Sequence, residues 1–275
     1  MFYYIIYPIF YLIFWTIAKG FGRLRVSGRD NVPKTGAFLY CPNHLSDSDP
    51  PTVFVSLPRP AWFVGKSELF EEGKVLSWII RNLHAIPIKR DSPDRGALRK
   101  IEEKLKLGKP VVIFPEGRCA QDGKLQKIQP GAAMIALRTN VPIVPVGVMH
   151  TNELMPYGDT KPRRAKHPVT VEFGKPIYPS DFAHLMKGEA MEAITRKLTE
   201  ELARLTGQEL PAQAQPGGVA ENGAHKPEKS DAVRMIKEHN AVYAAIRKDK
   251  KAWTAELSER KLWEATLTDG LTDEQ

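Results

Sequence analysis

Residues 36–51 have the sequence GAFLYCPNHLSDSDPP, and this stretch decides the predicted fold. It begins as an apolar run, continues as a polar loop from Asn43 and ends in two prolines. Proline suits the first turn of a helix. The stretch therefore predicts a strand over 36–42 and a loop into a helix that begins at Pro50 and is capped by Asp49.

The rest of the chain repeats this alternation of strand and helix. Apolar runs predict further strands at 24–29, 61–66, 85–90, 110–117, 141–148 and 169–173. Apolar positions at helical spacing predict helices at 77–84, 94–108, 131–139 and 180–205. This alternation is typical of an α/β protein with a mixed central sheet flanked by helices. In open α/β sheets, sites lie beyond the strand ends.

The composition restricts the class of protein. The chain is 42% hydrophobic and 26% charged, which excludes a fully disordered or collagen-like protein. Its two cysteines, Cys41 and Cys119, form neither a disulfide framework nor a zinc-site spacing and favour a reducing compartment. Residues 1–205 carry 30 basic and 20 acidic side chains, a net charge of +10. This excess favours nucleic acid, an anionic membrane surface or phosphorylated substrates as partners.

The first 18 residues contain no charged side chain, and eight of the 24 aromatic residues lie between positions 2 and 15. As a helix, this run would be about 27 Å long, close to the thickness of a hydrocarbon core. Basic residues from Lys19 onward favour a body on the cytoplasmic side. We expect a hydrophobic N-terminal membrane helix segment over 1–20, spanning or partly inserted. A signal peptide and a buried hairpin or core helix are the alternatives.

The C-terminal part has a different composition. Residues 206–230 are rich in Gly, Pro, Ala and Gln without an apolar period, which predicts a disordered linker. Residues 231–275 predict a C-terminal helical tail of unknown role. The predicted organisation is therefore a membrane-associated segment at 1–20, a main domain at 21–205, the linker and the tail.

His44 and Asp49 are the first pair that could perform chemistry. They are five residues apart, which on a continuous helix separates them by about 140°, so they meet only if the chain turns between them. The carboxylate would then accept the imidazole N–H and leave the other nitrogen to take a proton. Because the chain lacks a GxSxG nucleophile elbow, this pair favours a substrate hydroxyl as the nucleophile. The alternative is a helix cap beside a surface histidine.

Other polar groups follow later strands: Lys66, Arg90, and the run of Glu116, Gly117 and Arg118. Glycine lets the backbone approach a ligand closely, and arginine binds phosphate through two parallel hydrogen bonds. Taken singly, each group is also compatible with an ordinary turn or a solvated strand edge.

Together, these blocks resemble the glycerolipid acyltransferase family, whose bacterial archetype is 1-acyl-glycerol-3-phosphate acyltransferase. NHLSDSDP is similar to the family's His-four-residues-Asp signature, IKRD to the block with a phosphate-binding Arg, FPEGR to the acceptor-binding block and VPIVPVGV to the last block. The resemblance covers roughly residues 24–180. The family's common third block is Phe-Pro-Glu-Gly-Thr-Arg-Ser, so Arg118 occupies its Thr position and Cys119 its Arg position.

The resemblance implies an acyltransferase domain at 21–205. It would move a fatty acyl group from acyl-CoA or acyl-carrier protein to the free hydroxyl of 1-acyl-glycerol-3-phosphate (lysophosphatidate), giving phosphatidate in phospholipid biosynthesis. His44 and Asp49 would be catalytic. The implied substrate-binding residues are Arg90, Glu116, Gly117 and Arg118. Lys66, from its place between a strand and a helix, is a further substrate-binding candidate for the phosphate.

This chemistry needs no metal and no cofactor besides the acyl donor. We expect a membrane-associated enzyme with its active site on the cytoplasmic face, bound to membrane lipid and an anionic surface but not to nucleic acid. The alternatives are an acyltransferase for another lysophospholipid or glycerol-3-phosphate, a lipid hydrolase or transacylase, and a membrane-tethered adaptor without catalysis.

Overall fold

The computed structural model describes residues 2–71, 80, 84–89, 94–156, 158–159 and 161–211. These residues belong to one compact unit. The predicted helix at 77–84 lies largely outside them, as does most of the linker at 206–230. Arg90 and the tail at 231–275 lie outside them entirely.

Seven strands in the described part of the chain form one sheet. They are β1 (Arg25–Ser27), β2 (Leu39–Pro42), β3 (Trp62–Lys66), β4 (Ala85–Ile88), β5 (Val111–Val112), β6 (Ile143–Met149) and β7 (Thr170–Phe173). Their order is β1-β7-β6-β2-β5-β3-β4. All neighbours are parallel except β6 and β7. The predicted mixed α/β sheet is therefore confirmed.

Strand β2 lies in the middle of the sheet and is buried on both faces. Leu39 and Cys41 belong to one core cluster, while Phe38 and Tyr40 belong to the other. All four side chains are fully buried. A strand covered on both faces has a continuous apolar sequence, which explains why this stretch does not alternate between apolar and polar residues.

Helices cover both faces of the sheet. They are α1 (Phe2–Gly20), α2 (Asp49–Ser56), α3 (Arg95–Lys106), α4 (Gly131–Thr139), α5 (Thr151–Leu154) and α6 (Lys187–Thr206). Helices α3, α4 and α6 contribute to the cluster that contains Leu39, and α1 and α2 contribute to the cluster that contains Tyr40. The ends of α3 follow the prediction, because Asp94 caps it by accepting the N–H of Ala97 and Gly108 follows it with a positive φ.

Helix α1 packs on α2. The Tyr11 hydroxyl donates to the Val55 carbonyl at 3.3 Å, and the rings of Phe14 and Phe54 meet edge to face at 6.2 Å between centroids. Within the described residues, no helix has the length and apolar character needed to span a bilayer. The N-terminal membrane segment, spanning or partly inserted, stays a prediction.

The last helix, predicted at 180–205, begins only at Lys187, after a short 3₁₀ helix at Pro179–Phe182. Two further predicted features differ from the structure near the sheet end. The helix after β2 begins at Asp49 with Ser48 as its N-cap, one residue earlier than predicted, and no side chain caps it. The predicted strand at 110–117 is only Val111–Val112, and the chain turns further on, at Gly117, which has a φ of 75°. Both differences lie beside the polar residues at the end of the sheet, where side chains form hydrogen bonds with loops instead of with helices or strands.

Candidate active site

The polar residues predicted from sequence gather at one edge of the sheet. Strands β2, β3, β5 and β6 run parallel, so their carboxyl ends meet at this edge. His44 follows β2, Glu116 follows β5, and Lys66 is the last residue of β3. Neighbouring strands are about 4.8 Å apart, which places the β3 backbone roughly 10 Å from that of β2.

His44 and Asp49 form the central contact of this edge. The imidazole Nδ1 lies 2.8 Å from Asp49 Oδ2. The same oxygen accepts the backbone N–H groups of Leu45 at 2.6 Å and Ser46 at 2.8 Å. Because the carboxylate is an acceptor, Nδ1 carries the hydrogen in this pair and Nε2 keeps its lone pair. The expected turn between the two residues is present.

The loop that carries His44 is fixed to β6 and to the chain after it. The Asn43 side chain mimics a strand neighbour, because Nδ2 donates to the Val148 carbonyl at 3.0 Å and Oδ1 accepts the Val148 N–H at 2.7 Å. The Ser46 hydroxyl donates to the Met155 carbonyl at 2.6 Å. The Ser48 hydroxyl donates to the Thr151 carbonyl at 3.1 Å. The imidazole is therefore held on a loop with little freedom to move.

Glu116 supports the same loop from the other side. Its Oε1 accepts the backbone N–H of His44 at 2.7 Å, and its Oε2 accepts that of Gln126 at 3.0 Å. Only 3% of the residue is exposed. Burial raises the pKa of Glu116 to about 8, although the two N–H groups lower it, and the charge of Asp49 raises it further. The sequence predicted Glu116 as substrate-binding, but in the structure both oxygens bind backbone.

The imidazole is shielded on one face. The rings of His44 and Phe114 lie 4.3 Å apart between centroids, and 9% of the His44 side chain is exposed. A cavity of about 180 Å³ adjoins the loop and is lined by Leu45, Ala120 and Asn152 among others. Ligand pockets commonly measure about 300–1,000 Å³, so this cavity is smaller than most, and its lining includes neither His44 nor Arg118.

Gly117, Arg118 and Lys66 lie towards the surface at this edge of the sheet. Gly117 and Arg118 are exposed at the turn after β5, and Gly117 takes the left-handed conformation that favours glycine. Lys66 is partly exposed, and its Nζ lies 3.6 Å from Glu68 Oε1. Arg90 is outside the described residues, so its predicted role stays a prediction. The structure joins Asp49 and Glu116 to His44, whereas Arg118 lies after the end of β5 and Lys66 at the end of β3, at the same edge of the sheet.

Sequence reasoning missed how the loop is held. Asn43 was noticed only as part of the motif, and Phe114 only as the start of another. An Asn immediately after a buried strand is a usable signal, because its amide can continue the hydrogen-bond pattern of the sheet. No local signal indicates that Glu116 binds the His44 backbone, because 72 residues separate them.

Comparisons with known proteins show which family the chain resembles. Residues 23–149 match the family model described as Acyltransferase. A 1-acyl-sn-glycerol-3-phosphate acyltransferase of Bacillus subtilis is 30% identical over 189 residues, which cover 67% of this chain and 88% of that protein. A chloroplastic 1-acyl-sn-glycerol-3-phosphate acyltransferase of Brassica napus is 33% identical over 181 residues, covering 65% of this chain. The chain spans 52% of that plant relative's length.

A solved structure is similar as well. The crystal structure of PlsC, the 1-acyl-sn-glycerophosphate (LPA) acyltransferase from Thermotoga maritima, matches with a TM-score of 0.50 and 30% sequence identity. The match covers 68% of this chain and 79% of that chain.

The raised pKa of Glu116 predicts a pH-dependent stability. Its folded pKa of about 8 lies above the ordinary value of 4.5, so its stabilising contribution is complete below about pH 4.5 and is lost as pH rises to about 8. The slope for one group approaches about 1.4 kcal/mol per pH unit. In Glu116→Gln the amide nitrogen cannot accept an N–H. Urea unfolding should therefore find the variant less stable at pH 5, with a gap to the wild type that narrows towards pH 8.

The control for this measurement is Glu192→Gln, at an exposed position of α6. The difference between this variant and the wild type should stay constant across the same pH range. A gap for Glu116→Gln that stays constant or widens with pH would contradict the raised pKa.

Proposed function

Because the chain belongs to the acyltransferase family, we propose that it transfers a fatty acyl group to the free hydroxyl of 1-acyl-glycerol-3-phosphate, giving phosphatidate. The relatives named above carry this activity in their names. The observation that carries the proposal is the 2.8 Å contact between His44 Nδ1 and Asp49 Oδ2. It lies at the sheet edge that also bears Arg118 and Lys66.

The proposed reaction begins with proton transfer to His44. Its Nε2 takes the proton of the acceptor hydroxyl as the oxygen attacks the carbonyl carbon of a thioester donor. The carbon–sulfur bond then breaks, the ester remains on the acceptor, and the proton passes from the imidazolium to the thiolate. No bond forms between the acyl group and the protein, so no protein nucleophile is needed.

Asp49 orients the imidazole and stabilises it when it is protonated. Its Oδ2 is fixed by two backbone N–H groups, so the carboxylate does not have to reorganise when the positive charge forms. General-base assistance is typically worth about 10²–10⁴-fold in rate. Holding the hydroxyl and the thioester together contributes further.

The proposed acceptor carries a phosphate, and the rim of the site offers cations for it. Arg118 is exposed at the turn after β5 and Lys66 ends β3. Together with Arg90, they would bind the phosphate through charge-assisted hydrogen bonds. The donor is a thioester of CoA or of acyl-carrier protein, and the reaction uses no other cofactor and no metal.

We place the enzyme at a membrane, with its active site on the cytoplasmic face. Helix α1 exposes large apolar side chains on the face that does not pack on α2, namely Ile9, Leu12, Ile13 and Trp15. An exposed apolar helix face with aromatic residues favours insertion into the bilayer interface. The net charge of +10 over residues 1–205 favours anionic lipid headgroups. The exposed apolar face of α1 and the positive charge would both hold the active site at the membrane, where its lipid substrates are.

Replacing the proposed base tests this function directly. His44→Ala should lower kcat for acyl transfer to lysophosphatidate by about 10²–10⁴-fold, because the hydroxyl loses its proton acceptor. Asp49→Asn should also lower kcat, because the neutral amide does not stabilise the imidazolium. Thermal unfolding and circular dichroism of each purified variant check that the fold is intact.

Acceptor panels distinguish this function from its alternatives. Transfer should require an acceptor hydroxyl, so release of free fatty acid from the thioester without an acceptor would indicate a hydrolase instead. A folded His44→Ala protein with near-normal turnover would refute the base assignment.

The phosphate assignment has its own kinetic test. Arg118→Ala should raise the Michaelis constant for lysophosphatidate by roughly tenfold to a hundredfold, the cost of one or two charge-assisted hydrogen bonds, with little effect on that of the donor. Lys66→Ala and Arg90→Ala belong to the same series. Arg196→Ala, at an exposed position of α6, is the matched control and should change neither constant. If Arg118→Ala changed the Michaelis constants for lysophosphatidate and for the donor equally, Arg118 would not be a phosphate-binding residue.

The exposed face of α1 predicts membrane binding. Substituting Ile9, Leu12, Ile13 and Trp15 together with Ser should reduce co-sedimentation with anionic phospholipid vesicles by at least about tenfold, because each buried apolar side chain is worth about 1.5–3 kcal/mol. The control substitutes Leu107 and Met186, which are exposed elsewhere on the body, and should bind like the wild type. Unchanged sedimentation of the fourfold variant would exclude α1 as the anchor.

A further inference from the structure

A second group of ionisable side chains lies where β6 ends and β7 begins. His150 follows β6 directly, Glu153 is on α5, and His167 lies shortly before β7. One potential ligand atom from each of the three lies within 4.8 Å of the others. The rings of His150 and His167 are 5.1 Å apart between centroids. The function proposed above uses none of these residues.

We propose that His150, Glu153 and His167 bind a divalent transition-metal ion of the Zn²⁺ class. Imidazole nitrogen and carboxylate oxygen are ligands that Zn²⁺ takes at about 2.0–2.2 Å. Three protein ligands leave a fourth position for water, as His167 is exposed to solvent. No metal site was predicted from the sequence, because these residues do not form a local metal-binding motif. His167 lies 14 residues beyond Glu153.

His150 is oriented for this role by the backbone. Its Nδ1 lies 2.9 Å from the Pro168 carbonyl oxygen. A carbonyl only accepts, so Nδ1 carries the hydrogen and Nε2 presents its lone pair. Metal-binding histidines commonly hold their second nitrogen in this way, with a backbone carbonyl or carboxylate as partner. His150 also has a φ of 63°, a left-handed conformation that few residues other than glycine adopt.

Glu153 and His167 already share the position that the metal would take. Glu153 Oε1 lies 2.7 Å from His167 Nδ1, and Oε2 accepts the His167 backbone N–H at 2.8 Å.

A tetrahedral zinc separates two ligands by roughly 3.3 Å, given bonds of about 2.0 Å. The oxygen and nitrogen that now share a proton would therefore move apart by less than about 1 Å. His167 can make this movement because 64% of its side chain is exposed. The most distant pair of ligand atoms, within 4.8 Å at present, would close by about 1.5 Å.

The metal would act on the turn that supports the candidate active-site loop. Helix α5 carries Glu153, and the carbonyls of Thr151 and Met155 accept the hydroxyls of Ser48 and Ser46. Binding at the cluster would join this turn to the start of β7 and close the loop between them. A clamp of this kind stabilises the folded chain because the unfolded chain has no preformed site.

Calorimetric titration of the full-length, tag-free protein with Zn²⁺ alone tests the proposal. The wild type should bind one equivalent of zinc. His150→Asn, Glu153→Gln and His167→Gln should each lower the affinity for this zinc by at least about tenfold. Zinc should raise the midpoint of thermal unfolding only in proteins that bind this equivalent. Asn is chosen at position 150 because it tolerates a positive φ.

Two controls separate this cluster from other zinc-binding groups. His184→Asn removes an exposed histidine outside the cluster, and Cys119→Ser removes a partly exposed thiol. Both variants should still bind one equivalent of zinc with the wild-type affinity, and so should His44→Ala. The proposal is overturned if the wild type binds no zinc, if the cluster variants bind it like the wild type, or if His44→Ala or either control loses the equivalent instead.

Discussion

A single carboxylate oxygen organises the candidate site. Asp49 Oδ2 receives hydrogen bonds from the His44 imidazole and from two backbone N–H groups of the intervening loop. Asp49 is fully buried, and an unpaired buried carboxylate would cost many kilocalories, so these donors are necessary for the fold as well as for the site. The compensation is incomplete, because Asp49 Oδ1 is buried without a hydrogen-bond partner in the described part of the chain. Proteins keep unfavourable buried groups of this kind where function requires them. Here the oxygen that does receive hydrogen bonds, Oδ2, is the one that orients the imidazole.

The sheet supplies the rest of the rigidity. β2 lies between β5 and β6, and residues after both neighbours bind the loop that follows it. Asn43 joins this loop to β6 through Val148, and Glu116 joins it to the segment after β5 through the His44 backbone. His44 is thus held by contacts on both sides as well as by Asp49. A catalytic group placed on rigid elements keeps its geometry without reorganising during the reaction, which is what general-base catalysis requires.

The sequence predicted the structural features that depend on residues close together in the chain. It did not predict the contacts that depend on the order of the strands in the sheet. The buried strands, the helix ends at Asp94 and Gly108, and the turn that brings His44 to Asp49 all follow from local patterns. The helix start was misplaced by one residue because the Asp49 carboxylate binds the loop instead of capping the helix. The bond from the His44 backbone to Glu116 spans 72 residues, and Asn43 reaches Val148 across 105. Such contacts arise only when β5 and β6 flank β2, which no local pattern specifies.

The same contacts explain which part of the FPEGR block is free to vary. Glu116 is fixed to His44 and Gln126, and the Ala120 N–H donates to the His44 carbonyl at 2.8 Å, so the segment is anchored at both ends. Between the anchors, Gly117 turns the chain with its positive φ and Arg118 is exposed. A change at Glu116 would disturb the loop that carries the imidazole. A displacement of the arginine by one position moves only the backbone origin of a long side chain on an exposed turn, which leaves the proposed phosphate-binding role of Arg118 possible in geometric terms. The arginine at position 118 and the cysteine at 119 are therefore compatible with the proposed catalytic role of His44 and Asp49.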